Sequence, residues 1–364
     1  VSDPRAPWFG PLIDRDVIPE PLLRALVRSR LRHLLRTLEC GGPKEGAARH
    51  TALREELARA PITPAARRSN EQHYEVPPEF FELFLGPRLK YSACLWSEAS
   101  DDGLAAAERA MLALSCERAG IEDGHEVLDL GCGWGSATLW IAERFPGCTV
   151  TAVSNSAPQG ESIRRRAHEA GLDNVTVHTA DVADFDPGRS FDRIVSVEML
   201  EHLRNYAAIM ARIAGWLRPD GAFFAHVFSH RRYAYLFDET ARGDWMARYF
   251  FAGGTMPSHD LLPSFAGGLP GASSPARAGS PPALRCDADW WLSGTHYART
   301  LEAWLARYDA RRDQIMPVLT ATYGAADAAA WWARWRLFLI SCAETFAFRG
   351  GSEWGVSHYV FRPC

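Results

Sequence analysis

Val127-Leu128-Asp129-Leu130-Gly131-Cys132-Gly133-Trp134-Gly135 is the stretch that decides the fold. A short apolar strand carrying one acid runs directly into three glycines at alternate positions. Glycine tolerates positive φ and lets the backbone approach a ligand closely. A helix starting near Gly135 aims its free N–H groups at the same point. Outward from this turn, residues 121–230 alternate strand and helix periods. Strands are expected at about 125–130, 149–154, 174–179, 191–197 and 222–228, and helices at about 135–145, 157–170 and 203–217. That alternation implies a doubly wound, mostly parallel sheet with helices on both faces, an α/β fold. Pro219-Asp220-Gly221 reads as the turn that ends the third helix and leads into the fifth strand.

The flanks differ from this core. Residues 1–69 form an N-terminal helical extension in which Pro21 to Glu39 places leucines at helical spacing, with Arg24, Arg28, Arg32 and Arg36 on the opposite face. Such a helix can lie on a membrane, but packing on the chain's own core is the commoner use. Residues 70–120 are a lead-in expected to cover the cofactor, ending in a helix over Asp101 to Ala119. Residues 231–364 hold eight of the thirteen tryptophans, with helical patterning around 297–313 and 326–346. They read as a substrate-binding cap. Ser264 to Pro282, rich in Gly, Pro, Ser and Ala, reads as a mobile surface insertion.

Bulk properties set limits. The chain has 364 residues, 47% hydrophobic and 23% charged, which suits a globular protein with a sizeable core. A net charge of −4 without a dense basic run argues against nucleic acid. No stretch approaches the roughly 20 apolar residues of a membrane span, so stable membrane association is not expected. Eight scattered cysteines without a CxxC pair suggest neither zinc nor a disulfide framework. A cytoplasmic location and no metal site follow as expectations. The oligomeric state is open, a homodimer included.

Three features of the turn favour S-adenosylmethionine over a dinucleotide. Asp129 is placed to hold the methionine ammonium, ahead of Gly131 and Gly133. The spacing is not GxGxxG. Asp181, followed by Val182, lies just past the third strand, where a carboxylate can read an adenine amino group. The second strand ends in Ser154-Asn155-Ser156 without the usual ribose-binding acid, so Asn155 and Gln159 are expected to serve as neutral substitutes.

Ser154-Asn155-Ser156 and Glu198-Met-Leu-Glu201-His202 together resemble the cyclopropane fatty acid synthase superfamily, and within it the coclaurine N-methyltransferase branch. The likeness runs from about Asn70 to Phe361. It is carried also by His73-Tyr74-Glu75-Val76-Pro77, Leu89-Lys90-Tyr91-Ser92, Arg248 to Ser258, Gly294-Thr-His-Tyr-Ala298 and Glu353-Trp354 with His358 to Phe361. The resemblance implies a Rossmann-like class I methyltransferase with a seven-stranded sheet and a small-molecule amine as methyl acceptor. By the same likeness, Tyr74, Tyr91 and Ser92 would close over the cofactor. Glu198, Glu201 and His202 would face the substrate nitrogen, and Trp335 and Phe338 would line its pocket. The lipid cyclopropane synthases resemble this chain in Glu201, His226 and Tyr297, which in them help hold a bicarbonate base. Those enzymes have glycine in place of Glu198 and a cysteine directly after Tyr-Ser, where this chain has Ala93 and then Cys94. Relative to the amine enzymes, Leu200 replaces a usual phenylalanine, and the 264–282 insertion is extra.

Methyl transfer to an amine needs a free lone pair, so one proton must leave an ammonium that predominates at neutral pH. Histidine suits that task, so His202 reads as base or orienter, and Glu198 and Glu201 as binding and orienting groups. His226, at the end of the fifth strand, is expected to face the same crevice together with Tyr297. At least one of Trp331, Trp332 and Trp335 is expected to look into the pocket, since aromatic faces attract ammonium. Two other readings compete: alkylation of an acyl-chain double bond on a membrane, and cofactor binding without catalysis.

Overall fold

The computed structural model describes residues 10–64, 76–97, 103–237, 244–267 and 283–364. Its strands are β1 (Glu126–Leu130), β2 (Thr149–Ser154), β3 (Val175–Thr179), β4 (Phe191–Val197), β5 (Leu217–His230), β6 (Tyr235–Leu236), β7 (Thr255–Met256), β8 (Leu284–Ser293) and β9 (Trp354–Pro363). Seven of them build one sheet in the order β3-β2-β1-β4-β5-β9-β8. The first five run parallel. β9 enters antiparallel between β5 and β8. From β1 the chain winds outward through β2 and β3, then returns to place β4 on the other side. The carboxyl ends of β1 and β4 therefore flank the switch point where such sheets bind ligands.

The inner strands are largely apolar because both their faces are buried, whereas the edge strand β3 is partly exposed. Leu128 and Leu130 join Ile194, Phe223 and Ile209 in one layer, whereas Val127 turns to the opposite layer with Val150, Val195 and Phe224. Helices Ser136–Arg144, Ala157–Glu169 and Tyr206–Trp216 cover these layers, at the places their periodicity assigns. The second is capped by Ser156, whose side chain accepts from the Gln159 N–H. The third is capped by Asn205, which accepts from Ala208 N–H at 3.0 Å.

Two expectations need correction. Pro219-Asp220-Gly221 is not an entry turn, because β5 already starts at Leu217. Pairing jumps from Phe191–Leu217 to Arg193–Ala222, so the turn residues form an irregularity inside β5 with no partners on β4. The insertion starts later than Ser264. Pro263–Phe265 form a short 3-10 helix and Ala266 is buried against the β-sheet core, while 268–282 lie outside the described residues. The N-terminal helix Glu20–Glu39 packs on the chain's own core, the commoner use expected for it, and part of its basic face is engaged there. Arg24 bonds Glu302 and Glu344, and Arg28 bonds Glu344. Leu31 and Leu35 of that helix pack into the aromatic core of the cap.

That cap consists of helices Gly294–Ala310, Arg312–Tyr323 and Ala328–Ala347; the middle one carries Pro317 and was not apparent from the sequence pattern. The cap core also takes in Phe80, Phe81 and Phe84 from helix Pro78–Phe84. No helix among the described residues is long and apolar enough to cross a membrane.

Candidate active site

The glycine turn is a left-handed bend at the end of β1. Gly131 has φ 84° and Gly135 φ 79°, and a Cβ at either would run into Met199 or Ile163. Gly131 and Cys132 N–H groups donate to Val153 O, tying the turn to β2. Against it opens a cavity walled by Asp129, Gly131, Gly133, Asn155, Gln159, Asp181 and Val182, with Tyr91 and Ser92 across from them. Tyr74 lies outside the described residues. Asp129 is fully buried and accepts from Thr138 Oγ1 at 2.6 Å. Burial pushes its carboxyl up to about 6, with Thr138 pulling the other way. Gln159 Oε1 accepts from Ser154 Oγ at 2.7 Å. Its buried Nε2 and the buried Ser136 Oγ have no partner. A buried acid with unspent donors on one wall fits a ligand bearing an ammonium and ribose hydroxyls.

The opposite wall is held by a residue the sequence reading passed over. Lys90 is buried, and its Nζ donates to Ser92 Oγ and, at 2.7 Å, to Ala93 O. Burial lowers its pKa, opposed by the charges of Cys94, Glu198 and Glu108. Glu108 accepts the Arg88 and Lys90 N–H groups at 3.0 and 3.2 Å. The motif Leu89-Lys90-Tyr91-Ser92 contained the signal for Lys90, but nothing local shows that its ammonium turns inward.

Glu198 is among the cavity-lining residues with Met199 and His202, and its side chain is buried. Its φ of 48° is left-handed, a conformation that costs a non-glycine residue energy and persists where surroundings impose it. Its Oε1 accepts from Ala93 N at 2.9 Å and pairs with His226 Nε2 at 3.1 Å. Its Oε2 accepts from Tyr297 Oη at 2.6 Å. Burial raises its pKa, and Lys90, the Ala93 N–H and Tyr297 counter that rise.

Its two motif partners behave differently. Glu201 is fully buried and is not part of the cavity wall. Its Oε1 accepts from Phe228 N at 2.7 Å, while Oε2 has no partner. Burial first, then the Glu198 charge, drives its pKa well up. Two neighbouring carboxyls do not both ionise there, so Glu201 is the neutral member. His202 lines the cavity and stacks on Phe251 with centroids 5.4 Å apart. Burial lowers its pKa to about 4, and its Nδ1 has no partner.

Four expected substrate contacts lie one layer behind this wall. His226 is fully buried inside β5, and Tyr297 stacks on Phe346 at 4.3 Å; neither lines the cavity, and each is hydrogen-bonded to Glu198. Trp335 and Phe338 belong to the aromatic core, where Phe250 approaches both, at 5.0 and 4.5 Å. Trp331 and Trp332 stack on Tyr323 and Tyr308. Helical spacing distributes these rings correctly, but the cap has its own core to fill, and none of the three tryptophans lines this cavity. Cys94 is also buried away from it, its thiol pushed up to about 12 by burial.

This architecture can be set beside known proteins. The family model for mycolic acid cyclopropane synthetase matches residues 63–352. The chain belongs to that family. It is an S-adenosylmethionine-dependent methyltransferase with the class I fold. Among its relatives, (S)-coclaurine N-methyltransferase of Thalictrum flavum subsp. glaucum is 34% identical over 354 residues, covering 96% of this chain and 94% of the relative. The cyclopropane-fatty-acyl-phospholipid synthase of Escherichia coli (strain K12) is 31% identical over 65% of this chain and 56% of its own length. The crystal structure of coclaurine N-methyltransferase bound to N-methylheliamine and SAH superposes with a TM-score of 0.89 at 33% identity, covering 97% of this chain and 98% of that one.

Proposed function

We propose that the protein N-methylates a small aromatic amine of the tetrahydroisoquinoline type, with Glu198 and His202 holding the amine nitrogen in the cavity. The observation that carries this reading is the strained, buried Glu198 carboxylate, braced by three donors beside the glycine turn. The amine enzymes of the family support the choice of substrate, since the relatives with high coverage are named for alkaloid nitrogen.

S-adenosylmethionine supplies the methyl group as an electrophilic sulfonium. The chain's residues must bind the amine, take a proton from it and keep its lone pair free. A carboxylate has about four acceptor positions. Ala93, His226 and Tyr297 fill three of those on Glu198, leaving one on Oε2 for the substrate N–H. Burial raises Glu198 and lowers His202, so Glu198 is the stronger proton acceptor. His202 stays neutral and offers a lone pair. Glu198 thereby takes the base role that the residue pattern suggested for His202, and neutral Glu201 supports the backbone at Phe228. Tyr91, and Ser92 bonded to Lys90, would close the site and align the amine in line with the methyl, where proximity supplies much of the acceleration.

The lipid reading fares less well. His226 and Tyr297, which the resemblance connects to a bound anion in the lipid enzymes, are here engaged by the chain's own carboxylate. The test is incubation with methyl-labelled S-adenosylmethionine and separate panels of tetrahydroisoquinoline amines, other amines and unsaturated phospholipid vesicles. Label in the first panel is the expected result; label confined to lipid overturns the proposal.

A further inference from the structure

His226 and His358 are directly paired across β5 and β9, and Trp290 faces His358 across β9 and β8. Three strands thus place Trp290, His358 and His226 in one row ending at Glu198, which follows β4. Arg118, near the end of helix Gly103–Ala119, closes the row from the far side. Its guanidinium lies 4.4 Å over the Trp290 ring and its Nη1 is 2.7 Å from His358 Nδ1. His358 Nε2 is 2.9 Å from His226 Nδ1, and His226 Nε2 is 3.1 Å from Glu198 Oε1.

The proton positions in this row follow from one fact: guanidinium only donates. His358 Nδ1 must therefore accept, so in a neutral ring its proton sits on Nε2 and points at His226 Nδ1. That nitrogen accepts in turn, and the His226 proton sits on Nε2 and points at Glu198. Both rings are fully buried, and burial lowers both pKa values, consistent with neutral imidazoles. We infer that Arg118 and His358 are positioning residues for Glu198, fixing the tautomers of two buried histidines so that both ring protons point toward the carboxylate. Neither touches the cavity. Their effect is to keep one Glu198 oxygen permanently bonded, so that the acceptor position left for the amine is on Oε2.

The kinetic part of the test rests on the proposed role of Glu198, whereas the spectroscopic part does not, so the two fail separately. Nitrogen-15 spectra of the imidazole rings in the full chain should show both His226 and His358 protonated on Nε2 and bare on Nδ1. In Arg118→Met the restraint is gone, and the rings should populate the other tautomer as well. A bare His226 Nε2 would then face Glu198, disfavouring its ionised form. Lys90, Cys94, Glu201, His202, Tyr297 and Cys342, which also surround that carboxyl, remain in place. The acid limb of kcat/KM for the amine should move up by about one pH unit, so the loss is roughly tenfold at pH values on that limb and fades on the plateau above it. Affinity for S-adenosylmethionine should not change, and Arg118→Lys, which keeps a donor-only cation, should restore most of the profile. A wild-type ring carrying its proton on Nδ1 overturns the inference, as do unchanged ring signals and pH profile in Arg118→Met. Should that variant fail to fold, the wild-type spectrum decides alone.

Discussion

Replacing Glu198 by Gln removes a charge while keeping the shape, and the surroundings dictate how the amide must sit. Ala93 N–H and His226 Nε2–H both point at Oε1, so the amide oxygen has to take that side. The amide nitrogen then faces Tyr297, whose hydroxyl can rotate to accept. The fold and the cofactor cavity should survive. What disappears is a charge-assisted hydrogen bond to the substrate N–H, together with the proton acceptor. The bond alone is worth about 1.5–3 kcal/mol, which is roughly ten- to a hundredfold in kcat/KM. Loss of the acceptor adds to that, so a fall of at least about a hundredfold is the expected scale. The assay is steady-state methylation of a tetrahydroisoquinoline amine followed by product mass, alongside calorimetric titration with S-adenosylmethionine. The wild-type acid limb should also flatten, since its titrating group is gone. Wild-type kcat/KM across the neutral range in Glu198→Gln would refute the reasoning, as would loss of cofactor binding equal to the loss of rate.

The other expectations concern single groups. Asp129, at about 6 in the folded chain, must be ionised to hold an ammonium, so affinity for S-adenosylmethionine should fall as pH drops through that value. Asp129→Asn should bind weakly at every pH, and calorimetry at several pH values checks both. His202→Ala should lower kcat with little change in cofactor affinity. Because burial holds His202 at about 4, no inflection at the free-histidine pKa of about 6.5 should vanish with it. Trp335→Ala removes a fully buried ring from the cap core and should cost about 3–5 kcal/mol, measured by urea unfolding.

The strands and helices around the glycine turn were readable because burial makes the inner strands largely apolar, and three glycines mark where the chain must bend. Asp129, Asn155, Gln159 and Asp181 could be placed because each sits at a fixed offset from the end of a parallel strand. The cap resisted the same treatment. Pro317 lies inside a helix, and the tryptophan spacing says which rings share a face without saying what they meet. Hydrophobic pattern also cannot tell a neutral carboxyl from an ionised one, so Glu198 and Glu201 looked alike until burial and donors separated them. Arg118 and His358 are invisible to any local rule, because their meaning arises only when distant segments come into register.

That register has a consequence for how the molecule comes into being. β5 lies between β4 and β9, and the His226–His358 contact joins positions 132 residues apart in sequence. Until β9 arrives, the newly made β5 presents an unpaired apolar edge, the kind of surface that recruits wrong partners. Contacts spanning such distances also form slowly. The enzyme therefore carries its greatest aggregation hazard during synthesis, after the cofactor-binding half has emerged and before the strand that supports Glu198 through His226 exists. Slow production at low temperature or chaperone supply during that interval should raise the yield of active protein more than any change at the cavity itself.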